Sequence, residues 1–181
     1  MCGGWRGMVG SWGSRCRGLS AGMRMSGLEG RRMEPVRADE FKVRVVSHGW
    51  CVQESDEALV PVPFPDDSPA GGFLAQFERR LDFCSAGHTH YAVVTVEHWG
   101  AEPEPDRRTV WDEVAEAVFV SASGVAAIWS DGRHHELTLL APGTWRVRAY
   151  CAGRAEVAQA DDADDVADGI EVYVLQFWPQ A

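Results

Sequence analysis

Between Gly124 and Pro179 the sequence alternates short apolar runs with strong turn signals, a pattern that suits consecutive β-strands. Gly124-Val-Ala-Ala-Ile-Trp-Ser130 is closed by Asp131-Gly132. His135-Glu-Leu-Thr-Leu-Leu140 is ended by Pro142-Gly143. Thr144 to Cys151 then alternates, with Trp145, Val147 and Ala149 on one side and Arg146, Arg148 and Tyr150 on the other. Gly169 to Trp178 is dense in β-branched and aromatic residues, and Pro179 stops it. This block holds no nucleophile motif, metal-ligand set or phosphate loop, so it reads as scaffold.

Upstream, Phe41–His48 alternates as a half-buried strand, Gly49 breaks it, and Trp50–Gln53 continues it past a bulge. Ala58–Phe64 is extended, and Pro61 and Pro63 restrict it to an edge or a loop. Phe73–Leu81 is ambiguous between helix and strand, with a short strand favoured from about Arg79. Thr89–Trp99 is a strand. Val110–Val120 has residues spaced for a helix, but its alternation and flanking turns favour strand. Gly153–Gly169 is expected to be a solvated acidic loop. The expected fold is all-β: a single-domain antiparallel β-sandwich of about seven to nine strands. The inward-facing set is expected to be Val43, Val45, Val93, Val118, Val120, Ile128, Leu137, Leu139, Trp145, Val147, Val172 and Val174.

Charge divides the chain. Residues 1–32 carry six Arg and one acid, Glu29, for a net +5. With nine Gly and no apolar run, this stretch is expected to be a disordered tail, and Met33 is a candidate true start. Residues 33–181 carry 11 basic and 26 acidic groups, a net −15. So acidic a domain is repelled by nucleic acid and anionic membrane and attracted to basic proteins. No apolar run is long enough for a transmembrane helix. The five Cys (2, 16, 51, 84 and 151) show no C-x-x-C spacing, which suits free thiols in a reducing cytoplasm.

Three groups of side chains are candidates for chemistry. His88-Thr-His90 would place two imidazoles on one face of a strand, within reach of one ion. On a β-sandwich this resembles the cupin metal motif, although Glu97 comes seven residues after His90 and no third His follows at the cupin spacing. Ordinary turn histidines are the default reading, and no cofactor is expected. Cys84 lacks any local activating group, so a buried structural thiol is favoured over a nucleophile. The acids Asp161, Asp162, Asp164, Asp165 and Asp168, with Glu102 and Glu104 and the pair Asp66-Asp67, form acidic loops. They lack the Gly and terminal Glu of a calcium loop. The alternative is a surface that imitates a nucleic-acid backbone and occupies a basic cleft.

From about Phe41 to the end, the chain resembles the competence protein J (ComJ) family, described as nuclease inhibitors. The likeness is carried by the strands Phe41–His48, Thr89–Trp99 and Trp111–Val120, by Gly124-Val with Ile128, by Glu136-Leu-Thr-Leu-Leu-Ala-Pro-Gly-Thr-Trp-Arg-Val-Arg-Ala-Tyr150, and by the final strand Glu171–Pro179. The resemblance implies a small cytoplasmic β protein that binds another protein, a nuclease or a toxin, and it carries no catalytic residue across. Three functions follow in order: a non-catalytic acidic binding protein that inhibits or escorts such a partner, a cupin-like metal enzyme using His88 and His90, and a domain without a fixed partner. Oligomeric state is not legible.

Overall fold

Among the described residues the apolar runs become ten strands, paired into two sheets that face each other across a core of their inward side chains. They belong to a computed structural model that describes residues 33–62, 65, 72–162 and 167–181. The tail at 1–32 lies outside the described residues, as do Asp66, Asp67, Asp164, Asp165 and the side chain of Asp162.

The strands are β1 (Arg37–Val45), β2 (Gly49–Glu54), β3 (Leu74–Phe77), β4 (Arg80–Cys84), β5 (His90–His98), β6 (Glu113–Ser121), β7 (Val125–Trp129), β8 (Arg133–Thr138), β9 (Gly143–Ala152) and β10 (Val172–Pro179). One sheet has the order β1-β5-β10-β9-β6 and the other β3-β4-β2-β7-β8. All neighbours are antiparallel except β5 and β10, which run parallel. Among the described residues no helix is long and apolar enough to cross a membrane.

The all-β sandwich agrees with the sequence reading, and four details correct it. Trp50–Gln53 is no continuation of the first strand: a two-residue turn at Ser47-His48 reverses the chain into the opposite sheet. Phe73–Leu81 contributes two strands rather than one, joined at Glu78-Arg79, where Arg79 takes a left-handed φ of 60°. Val110 precedes β6 and is 86% exposed.

The fourth concerns the expected loop 153–169, which contains the helix α1 (Arg154–Asp162). Its signal was the Ala155, Ala158 and Ala160 content, masked by the acidic run that follows. The Asp112 carboxylate accepts from the Arg154 N–H (3.0 Å), satisfying one orphan donor of the first turn, and fully buried Val157 anchors the helix.

Of the inward-facing set, Val43, Val45, Ile128, Leu137, Leu139, Trp145 and Val147 lie in the core. β5, β6 and β10 are shifted by one residue. Ala92, Val94 and Val96, then Ala117 and Phe119, then Tyr173, Leu175 and Phe177 face inward. Val93, Val118 and Val172 are half-buried on the other face, Val120 is exposed, and Val174 is buried outside the core cluster. A one-residue slip exchanges the faces of a whole strand. Here alternation could not decide, because these strands carry apolar residues on both sides.

Candidate functional site

The end of the sandwich where β1 turns into β2 gathers most of the chemistry-bearing side chains. Val46 and Gly49 exchange backbone hydrogen bonds (3.2 and 3.0 Å), leaving Ser47 and His48 as the turn residues with φ of 51° and 63°. Such a turn needs two left-handed residues, and Asn-Gly normally supplies them. Ser-His is held there from outside: the His48 N–H donates to the His88 carbonyl (2.9 Å), and the His48 carbonyl accepts from the Ser85 N–H (2.8 Å). These bonds bring the His48 and His88 imidazoles to a centroid distance of 5.1 Å with planes at 83°. His88 Nδ1 is 2.9 Å from Thr89 Oγ1, and the His88 N–H donates to Asp161 Oδ2 (3.1 Å).

His90 does not join His88. His88 lies in the bend before β5, so strand alternation does not govern it, while His90 opens the strand with its ring turned inward. His90 Nε2 is 2.8 Å from Ser85 Oγ and 3.5 Å from Glu171 Oε2. Ser, His and a carboxylate are the parts of a hydrolytic triad, but the arrangement cannot work as one. Serine and carboxylate share one ring nitrogen, Nδ1 has no hydrogen-bond partner, and all three residues are under 5% exposed. The cluster is a brace. Glu171 also accepts from the Ala86 N–H (3.1 Å), the Tyr173 hydroxyl (2.9 Å) and Arg154 Nη1 (3.5 Å). It thereby ties the β4–β5 loop to α1 and β10. Burial pushes the Glu171 carboxyl up, but hydrogen bonds from His90, Ser85, Ala86 and Tyr173 hold it below the usual glutamate range. Burial, reinforced by the Glu171 charge, pushes the Cys151 thiol up to about 12. Among the described residues no group of three or more His, Cys, Asp or Glu is placed to hold a metal ion.

The acidic residues divide between two places. Asp161 and Asp168 flank the start of β5. Asp168 accepts from the Tyr91 N–H (3.0 Å) and pairs with Lys42 Nζ (3.2 Å), which also sits 4.4 Å over the Tyr91 ring. Asp112, Glu113 and Glu156 belong to the same end. Asp112 meets the helix N-terminus, and Arg154 Nε lies 4.0 Å from Glu113. Sequence reasoning missed Asp112 and Glu113, because only the β6–β9 register, which sets Glu113 opposite Cys151, carries them there.

Glu102 is elsewhere. It pairs with Arg148 Nη2 (2.8 Å), whose register partner on β10, Gln176, lies opposite Glu97 of β5. Six residues of strand separate Glu97 from Tyr91, roughly 20 Å. There the β5–β6 connection crosses the outer face of the sheet. Arg148 binds Glu116 (2.8 Å) and the Pro103 carbonyl (3.1 Å) as well, and Arg108 bridges Glu97 (2.7 Å) and Asp106. Glu104 is exposed on this connection. Beside the Ser47-His48 turn, a polar pocket of about 260 Å³ is lined in part by Cys51, Arg80, Asp82 and Trp129. Burial raises the Asp82 carboxyl there despite its bond to Arg80 (2.5 Å).

No family model and no curated protein matches the chain. Solved structures do. The crystal structure of ComJ from Bacillus subtilis, inhibitor of the DNA degrading activity of NucA, matches with a TM-score of 0.56 at 13% identity. The match covers 82% of this chain and 98% of that one. The chain shares the fold of ComJ. A structure named Crocagin biosynthetic gene J matches at 15% identity and a TM-score of 0.55, over 80% of this chain and 98% of that one. At these identities the likeness is one of fold, the ComJ-like sandwich, on which unrelated surfaces can be built.

Proposed function

We propose that residues 33–181 act as a non-catalytic binding protein of the ComJ kind, which docks on a basic protein of the nuclease or toxin class and inhibits it. The observation that carries this reading is the shared fold, which spans 98% of a protein that inhibits the DNA degrading activity of NucA. The net charge of −15 over 33–181 supports a basic partner, since complementary charge speeds encounter and falls off with salt. It also favours action on the enzyme rather than on its DNA. Asp161, Asp162, Asp164, Asp165 and Asp168 form the contact, with Glu102 and Glu104 as a second acidic patch. The free thiols of Cys51, Cys84 and Cys151 suit a reducing cytoplasm.

The test uses the full chain as bait at low and high salt, followed by titration of the captured partner's nuclease activity. The expected result is a basic partner released by salt, whose activity falls to a stoichiometric end point. Replacing Asp161 and Asp168 by Asn should slow association several-fold at low salt. A bait that captures no partner at either salt, or a partner whose activity is unchanged by saturating protein, overturns the reading.

A further inference from the structure

We propose that His48 and His88 are two ligands of a divalent transition-metal ion of the zinc class, at the tip of the sandwich. The geometry carries this. Zinc–nitrogen bonds of ~2.0–2.1 Å at a tetrahedral angle put the centroids of two ligating imidazoles on the order of 5 Å apart. The His48 and His88 centroids are 5.1 Å apart, and the rings are nearly perpendicular rather than stacked face to face. Both residues are exposed, so an ion has access.

The His88 ring is also held in place as a ligand's is. A ligating imidazole commonly donates from its second nitrogen to a nearby oxygen, which fixes the ring and its tautomer. His88 Nδ1 is held by Thr89 Oγ1 at 2.9 Å, which leaves Nε2 as the nitrogen to ligate an ion. The Asp161 carboxylate, bonded to the His88 N–H, places negative charge beside the pair. The backbone beneath His48 is committed as well. Two consecutive left-handed non-glycine residues are an unfavourable way to build this turn, and hydrogen bonds to Ser85 and His88 hold them there. Two protein ligands leave further positions for water or for a carboxylate of another molecule. The site therefore binds an ion weakly alone and more tightly when a second molecule completes it.

The test is calorimetric titration of the untagged full chain with zinc chloride, together with imidazole nitrogen resonances. The expected result is one weak but saturable equivalent, with the His48 and His88 nitrogen signals displaced. His48→Gly, which suits the left-handed turn, and His88→Gln should each weaken binding roughly tenfold or more, and Thr89→Val roughly tenfold through loss of ring orientation. His134→Gln, whose ring is held by Asp131 (2.9 Å), should bind as the wild type does. Absence of saturable binding overturns the proposal. So does retention of wild-type affinity in both His48→Gly and His88→Gln, which would place the ion elsewhere. A loss confined to unfolded variants, seen by circular dichroism, likewise counts against it.

Discussion

Removing the Glu171 carboxylate tests whether the buried brace holds this end of the sandwich. The residue is fully buried, and its two oxygens serve the Ala86 N–H, the Tyr173 hydroxyl and Arg154, with His90 Nε2 3.5 Å away. Glu171→Ala leaves these groups in a dry interior without their acceptor. Breaking a buried charged network in this way costs about 3–5 kcal/mol. Glu171→Gln keeps the shape. Its carbonyl can face the Ala86 donor while its amide faces Tyr173, whose hydroxyl can turn to accept. What is lost is the charged character of the bonds, about 2 kcal/mol. Urea unfolding of the full chain, followed by tryptophan fluorescence, resolves both. With a slope near ~2 kcal/mol per molar, the midpoint should fall by roughly 2 M for Ala and roughly 1 M for Gln.

The pH dependence has a definite sign. The Glu171 carboxyl is held below the ordinary range in the folded state, so its stabilisation is fully present above the unfolded pKa of ~4.3. It is lost as pH falls through the lower, folded value. The gap between wild type and Glu171→Gln should be flat from about pH 8 to pH 5 and close in the acid. A Glu171→Ala cost under about 1 kcal/mol, or a gap that widens on acidification, would refute the brace.

Glu54, also fully buried, accepts from the backbone N–H groups of Ala122 and Ser123 at 3.0 Å each, so Gln must turn its amide toward a fixed donor. Glu54→Gln is expected to lower stability by about 2 kcal/mol in the same urea assay. Gly153 has a φ of 85°, and a Cβ there would meet the Ile170 carbonyl oxygen at 2.2 Å. Gly153→Ala should therefore cost well over ~1 kcal/mol and lower the melting temperature measured by circular dichroism. Burial pushes the Cys51 and Cys151 thiols up to about 12, so both should resist a thiol reagent in the native state and label only on unfolding, read by peptide mass spectrometry.

The strands were legible because their signals are local. Alternation in Thr144–Cys151, the Asp131-Gly132 and Pro142-Gly143 turns, and the β-branched run ending at Pro179 each depend on neighbours a few residues away. Those signals determined an all-β chain and its approximate strand positions. α1 escaped because charge drew attention past its alanines, and the Ser47-His48 reversal because Gly49 also suits a bulge. The sheet partners were not legible at all. Tertiary structure alone decided that β5 lies between β1 and β10, and hence which face of Ala92–Val96 points inward. Period-two alternation defines two faces of a strand but not which of them is buried when both are apolar. The same holds for the candidate sites. His88 and His90 are two residues apart yet face different surroundings, whereas His48 and Glu171 come to His88 and His90 from distant parts of the chain. Contacts of that range are selected by the packing of two sheets on a common core, and no local pattern in the sequence encodes them.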